Sequence, residues 1–197
     1  MNHPHPITTL VLIGPHGAGK TTVARRVAEA LGWRFDDEIG ERLRRAALKR
    51  NPDAHALRPQ AMFDEEVLAS ELARDMQIAS VPGTVCRVIE TWHPGNMAYA
   101  SLRSQAVAEN WVPMVRAAAR QTPGLLVQPL CISEETLHRR QSEPGPPDCA
   151  RFFLAVGQKA ELLAEEWGLL VAQPLATDRC AVEDVVSEVL ARVRRSH

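Results

Sequence analysis

Apolar positions along the 197-residue chain fall into two alternating kinds of segment. Short runs without periodicity read as buried strands: Ile7 to Ile13, Trp33 to Phe35, Thr84 to Glu90, Leu125 to Ile132 and Leu169 to Leu175. Between them lie stretches with apolar residues three and four apart, which read as amphipathic helices. Val23, Val27 and Leu31 mark the first, stopped by Gly32; Glu41 to Arg50 is Arg-rich, helical and solvated. Phe63, Val67, Leu72 and Met76 mark a helix running to about Ala79, ended by Pro82 and Gly83. Ala98, Tyr99, Leu102, Val107 and Trp111 predict one long helix, capped by Asn96 or the residue before it and kinked or split by Pro113. Ser133 caps the short helix SEETLHRR; Phe152, Val156, Leu163 and Trp167 continue as a helix that Gly168 stops; Val182 to Val193 form the last. Strand alternating with helix predicts an α/β fold, a parallel five-stranded sheet with helices on both faces.

Two segments break the pattern. Asn51 to Gln60 is a loop, and Gln141 to Cys149 is the richest Pro/Gly segment of the chain. The expected organisation is a single domain over residues 1–197 with a small lid around 138–151. Pro129 is a blemish in the fourth strand, since it cannot donate to a ladder.

Between the first strand and first helix stands GPHGAGKTT, Gly14, Pro15, His16, Gly17, Ala18, Gly19, Lys20, Thr21 and Thr22. This satisfies the phosphate-binding loop pattern in its proper context of strand, loop and helix. The glycines let successive amides point into one concavity, and the following helix N-terminus favours an anion. Lys20 can reach the β- and γ-phosphates, and the Thr21 hydroxyl can complete the shell of a Mg²⁺ held by them. ATP and Mg²⁺ are therefore the expected cofactors.

Acids at strand ends are the next candidates, because ligands of parallel sheets sit outside the carboxyl ends of strands. Asp36, Asp37 and Glu38 end the second strand, or alternatively open a helix whose dipole favours acids. Glu90 ends the third, where it can hold Mg²⁺ through water or accept a proton from a substrate hydroxyl. Trp92 and His93 either line a pocket or are structural, and Tyr99, the single tyrosine, has core packing as its simplest role. Arg139, Arg140 and Arg151 flank the Pro/Gly segment, where they either close over a triphosphate or form a solvated helix end.

Composition narrows the partners. With 45% hydrophobic and 24% charged residues and a net charge of −1, the chain reads as a soluble protein with no overall field drawing it to nucleic acid or membrane. Cys86, Cys131, Cys149 and Cys180 are far apart, which points to reduced thiols and a cytoplasmic setting. The opening lacks the features of a signal peptide, and no segment reaches the length of a membrane span.

These residues resemble the nucleoside and nucleotide kinase branch of the phosphate-loop proteins, thymidylate and deoxynucleoside kinases most. After the third strand thymidylate kinases carry Asp-Arg-aromatic, a short gap, then Ala-Tyr-Gln opening a helix. Here the frame reads Glu90-Thr91-Trp92, then His93, Pro94, Gly95, Asn96 and Met97, then Ala98-Tyr99-Ala100, so that acid, aromatic, Ala and Tyr fall in register. ELARDMQIA is similar to the kinase helix whose Arg reaches the acceptor, which would make Arg74 that residue. The resemblance implies an acceptor touching Asp37, Arg74, Glu90, Trp92 and Tyr99, with Glu90 or Asp37 orienting or deprotonating the attacking hydroxyl. Lys20, Arg140 and Arg151 would stabilise the transferring phosphoryl group, and Arg139 would lie near the nucleotide. Enzymes of this build are often dimers, which makes a homodimer a state to test for.

Three departures are informative. Thr91 stands where thymidylate kinases place an Arg that grips the acceptor phosphate, and Ala100 replaces Gln. The segment Asp36 to Glu38 lacks their Glu-Pro signature and looks as much like the acid pair of shikimate-type kinases. The expectation is an ATP-dependent kinase acting on a small-molecule hydroxyl or phosphate acceptor, a nucleoside or nucleotide first. The alternative is a regulatory ATPase or switch acting on a protein partner, against which stand the absent Asn-Lys-x-Asp and Leu-Ser-Gly-Gly signatures.

Overall fold

The structure is a computed structural model that describes residues 6–50, 60–140 and 147–195. Its strands are β1 (Thr9–Ile13), β2 (Arg34–Asp36), β3 (Arg87–Glu90), β4 (Leu125–Cys131) and β5 (Leu175–Ala176). The helices are α1 (Lys20–Leu31), α2 (Ile39–Arg50), α3 (Gln60–Ala79), α4 (Trp92–Arg103), α5 (Gln105–Gln121), α6 (Glu134–Arg140), α7 (Pro147–Glu166) and α8 (Val182–Arg195). The predicted loop at 51–60 lies almost wholly outside the described residues, as does the centre of the predicted lid.

All strand pairs are parallel, in the order β2-β3-β1-β4-β5. Because successive side chains of a strand point to opposite faces, β1 divides its residues between two cores. Val11 and Ile13 join Ile89, Val127, Trp92 and Met97 under the layer built by α3, α4, α5 and α7. Leu10 and Leu12 join Val88, Leu126, Val23, Val27, Val189 and Val193 under α1 and α8. Such burial on both faces favours continuously apolar strands, which is how β1 reads from Leu10 to Ile13 and β4 reads except at Gln128.

Three elements differ from the sequence expectation. The long helix is divided at Ser104, not at Pro113: Ser104 is extended and its hydroxyl accepts from the Val107 amide, ending α4 and starting α5. Helix α4 begins at Trp92, so Asn96 is an internal residue and not a cap. On α3 the inward stripe is Asp64, Val67, Leu68, Glu71 and Arg74, while Met76 is exposed. A buried face carrying three charged residues is invisible to a search for apolar periodicity.

The fifth strand is interrupted. Val171 bridges Val127, then pairing resumes only at Leu175 and Ala176. The Val127 amide donates to the Leu170 carbonyl, so alternate amides of β4 face β5 from there on. Two residues later Pro129 offers no N–H, and β5 is broken at that level. Side chains fill the break: Gln128 Nε2 donates to the Gln173 carbonyl at 3.1 Å, and Arg192 from α8 donates to that carbonyl and to Gln128 Oε1.

Helix α7 presses on the phosphate loop through Gly157. A Cβ there would lie 2.5 Å from Pro15 Cδ and 2.9 Å from Pro15 N. Gly157→Ala should therefore cost about 1–3 kcal/mol by overpacking, seen as a melting temperature lower by roughly 2–12 °C. Melts of both proteins with and without Mg-ATP test this, with a smaller nucleotide-induced rise expected in the variant.

Candidate active site

The loop after β1 is shaped by its glycines: Gly14, Gly17 and Gly19 have φ of 142°, 78° and 85°, where other residues are disfavoured. Lys20 is buried, and its Nζ donates to the carbonyls of Gly14 at 3.1 Å and Pro15 at 3.0 Å. Those carbonyls hold the ammonium over the concavity that a phosphate would enter.

Parallel register decides what stands beside the loop. Leu12 pairs with Glu90, so β3 ends level with the loop's start, and Thr21 Oγ1 donates to Glu90 Oε1 at 2.7 Å. Glu90 is buried. Burial holds its carboxyl above the usual carboxylate range, aided by the charges of Glu38 and Asp37 and opposed by the Thr21 hydrogen bond and Lys20.

Beyond Glu90 the backbone turns sharply into α4. Thr91 has φ 70° and Trp92 φ 51°, the only non-glycine residues with positive φ among those described. Each such residue costs on the order of 1–3 kcal/mol and persists only where its surroundings impose it. Here the Thr91 amide donates to the Leu12 carbonyl at 2.9 Å, its hydroxyl to Glu38 Oε2 at 3.2 Å, and Trp92 Nε1 to Asp75 Oδ2 at 3.0 Å. Gly95 completes the fit, since a Cβ there would meet Thr91 Cγ2 at 2.5 Å.

A buried polar network lies behind this turn. Asp75 receives Trp92, His93 Nε2 at 2.8 Å and Arg87 Nη1 at 2.7 Å, and Arg87 also stands 3.7 Å from Asp36. Burial pushes the Asp75 carboxyl up, but His93 and Arg87 outweigh it and leave Asp75 below the usual range. Glu71 is fully buried and accepts from Arg74 Nε and Nη2 and from Asn96 Nδ2 at 3.0 Å. Arg74 Nη1 donates to the Asp37 carbonyl at 2.8 Å, which ties α3 to the end of β2.

A cleft of about 780 Å³ opens between the loop, these strand ends and α2. His16, Lys20, Thr21, Asp37, Glu90 and Arg140 line it, and so do Glu38, Glu41, Arg42, Arg45 and Lys49. The last three, at i, i+3 and i+7, form one face of α2; that spacing was available in the Arg-rich segment, whose reading as merely solvated passed over it. His16 is held below its usual pKa by burial and by Lys20.

Other expected residues stand elsewhere. Trp92 is fully buried in the core, with its indole nitrogen on Asp75, so it does not reach the cleft. Asp36 is buried against Arg34 and Arg87. Arg139 is exposed and donates to Thr136 Oγ1; Arg151 is exposed, 3.7 Å from Glu134. Arg74 lies under the strand ends and not on the cleft wall. Tyr99 stacks with Phe152 and Arg103. Burial, together with Glu38 and Glu90, pushes its hydroxyl far above the usual range.

Arg140 is the cation that meets the loop: its Nη1 donates to the Gly17 carbonyl at 3.1 Å and its Nη2 to the Thr177 carbonyl at 2.7 Å. A second cavity of about 330 Å³ lies on the loop's other side, among Gly19, Val23, Arg140, Thr177, Cys180 and Val185. Among the described residues no three His, Cys, Asp or Glu side chains gather as a metal cage. Thr21 and Glu90 nevertheless offer two hard oxygens side by side, a donor set that fits Mg²⁺ shared with phosphate oxygens.

Asp75→Asn should destabilise the protein by about 3–5 kcal/mol, the usual consequence of breaking a buried ion pair. The carboxylate's contribution is present above the unfolded aspartate pKa and lost as pH falls through the lower folded one. Denaturation of both proteins should show a full stability gap at neutral pH that closes only below the ordinary value of 3.8.

Comparisons with known proteins agree with this architecture. A cytidylate kinase from Nitratidesulfovibrio vulgaris is 42% identical over 71 residues, 36% of this chain; the chain spans 28% of that relative's length. Among solved structures, a gluconokinase from Sinorhizobium meliloti aligns over 99% of this chain and 94% of its own, with TM-score 0.56 and 19% identity. A deoxyadenosine kinase from M. mycoides with bound dATP aligns over 94% and 99%, with TM-score 0.61 and 10% identity. A shikimate kinase from Acinetobacter baumannii, in complex with shikimate, gives 96% and 94%, TM-score 0.55 and 16% identity. At these identities they show a shared fold. A family profile described as AAA domain matches residues 9–161, from β1 into α7, and the chain belongs to that family of phosphate-loop proteins.

Proposed function

We propose that this chain is an ATP-dependent kinase that transfers the γ-phosphate to a hydroxyl or phosphate group of a small molecule, a nucleoside or nucleotide first. The observation that carries the reading is the pair Thr21 and Glu90, 2.7 Å apart beside Lys20 at the mouth of one cleft. The names of the structural neighbours and of the cytidylate kinase support it.

In this reading the triphosphate lies on the loop amides, and Lys20 turns from the Gly14 and Pro15 carbonyls to the phosphates. The base takes the smaller cavity beside Thr177 and Val185, and the acceptor takes the larger cleft. Mg²⁺, when bound through Thr21 and Glu90, supplies charge neutralisation for the phosphates. Glu90 or Asp37 orients or deprotonates the attacking group, and Arg140 stabilises charge on the transferring phosphoryl. The reading needs neither Arg139 nor Arg151. No helix among the described residues is long and apolar enough to cross a membrane.

Lys20→Ala should abolish acceptor-dependent ADP release while leaving the far-ultraviolet circular dichroism unchanged; transfer at the wild-type rate would refute the assignment. Glu90→Gln should lower kcat by about 10²–10⁴, the range for loss of a general base. Nucleotide turnover indifferent to any small acceptor but accelerated by a partner protein would favour a regulatory ATPase.

A further inference from the structure

Resting on the kinase reading, we infer that the attacking group is a hydroxyl of an acceptor that carries no phosphate beside it, a nucleoside or polyol and not a nucleoside monophosphate. The point of transfer is bounded by Thr21 and Glu90, and two more carboxylates, Asp37 and Glu38, line the same cleft. Glu38 accepts from the hydroxyl of Thr91, the residue after Glu90, so the carboxylates of Glu38 and Glu90 stand close together at the strand ends. A phosphate acceptor brings two negative charges to that wall, where like charges oppose it.

The cations nearest those carboxylates are engaged. Arg74 is buried, with two nitrogens on the fully buried Glu71 and a third on the Asp37 carbonyl. Turning it to a ligand would strand a buried carboxylate. Immediately after Glu90 stands Thr91, an uncharged residue whose hydroxyl already donates to Glu38. On α2, Arg42 lies 4.0 Å from Asp37, and Arg45 Nε pairs with Glu41 at 2.6 Å. Lys49, a further turn along the helix, and Arg25 of α1, which lies over the Phe35 ring, also line the cleft.

The same wall suits hydroxyl groups. Carboxylates accept two hydrogen bonds or more each, so Asp37, Glu38 and Glu90 can hold neighbouring hydroxyls of a ribose or polyol. In the transfer the acceptor O–H gives its proton to a carboxylate and its oxygen bonds to the γ-phosphorus. The bond from that phosphorus to the β,γ-bridging oxygen breaks, and its electron pair leaves with ADP.

The test is acceptor-dependent ADP release by the full chain with Mg-ATP, using matched pairs. Each common ribo- and deoxyribonucleoside is set against its 5′-monophosphate, and gluconate and shikimate each against its phosphate ester. The inference expects kcat/KM for the unphosphorylated member to exceed that of its partner by about tenfold or more. In the double variant Asp37→Asn, Glu38→Gln that ratio should narrow by about threefold or more as like-charge repulsion falls. A monophosphate as the better member of its pair overturns the inference and leaves the kinase reading standing. ADP release that none of these acceptors accelerates overturns both. The wild-type ratio alone decides the matter if the variant does not fold.

Discussion

The hydrogen bond from Thr21 to Glu90 depends on one constraint, the parallel pairing of β1 with β3. Pairing Leu12 with Glu90 places the last residue of β3 beside the first turn of α1. A slip of one residue would turn Glu90 to the opposite face of the sheet and bury it under one of the two cores. The register is fixed because β1 is buried on both faces, with Leu10, Val11, Leu12 and Ile13 all fully enclosed. Hydrophobic packing thus sets the position of a polar pair to within a hydrogen-bond length.

Helix α3 works in the opposite way. Its buried face carries Asp64, Glu71 and Arg74, and Asp75 stands next to Arg74. Ion pairs in such places add little net stability, because desolvation consumes most of the attraction. What they do here is directional. Asp75 holds the indole of Trp92, Arg74 holds the carbonyl of Asp37, and Asn96 and Arg74 share Glu71. Together these bonds fix the strained turn at Thr91 and Trp92 against the ends of β2 and β3, which apolar contacts alone would leave free to relax.

Much of this arrangement was legible in the chain. The phosphate loop, the five strands and the caps at Gly32 and Ser133 carry local signals, so Lys20, Thr21 and Glu90 could be read directly. What failed was whatever depended on tertiary partners. Trp92 looked like a pocket residue, but its φ of 51° turns it into the core. Met76 looked inward because the true inward stripe is charged. Glu38 and Asp36 could not be told apart by spacing, yet only Glu38 lines the cleft, since Asp36 is still in strand and meets Arg34 and Arg87. The basic face of α2 is locally readable, whereas its position across from Glu90 is a matter of topology.

The break in β5 bears on how the folded chain behaves among its copies. An uninterrupted last strand would offer a row of open amides and carbonyls to any other extended segment, the usual start of edge-to-edge aggregation. Here that edge is two residues long after the gap at Gln173 and Pro174, and Arg192 from the C-terminal helix covers the Gln173 carbonyl. The opposite edge, β2, has only three residues, with exposed Arg34 on it. The sheet thus ends on both sides in stretches too short and too charged to recruit a sixth strand.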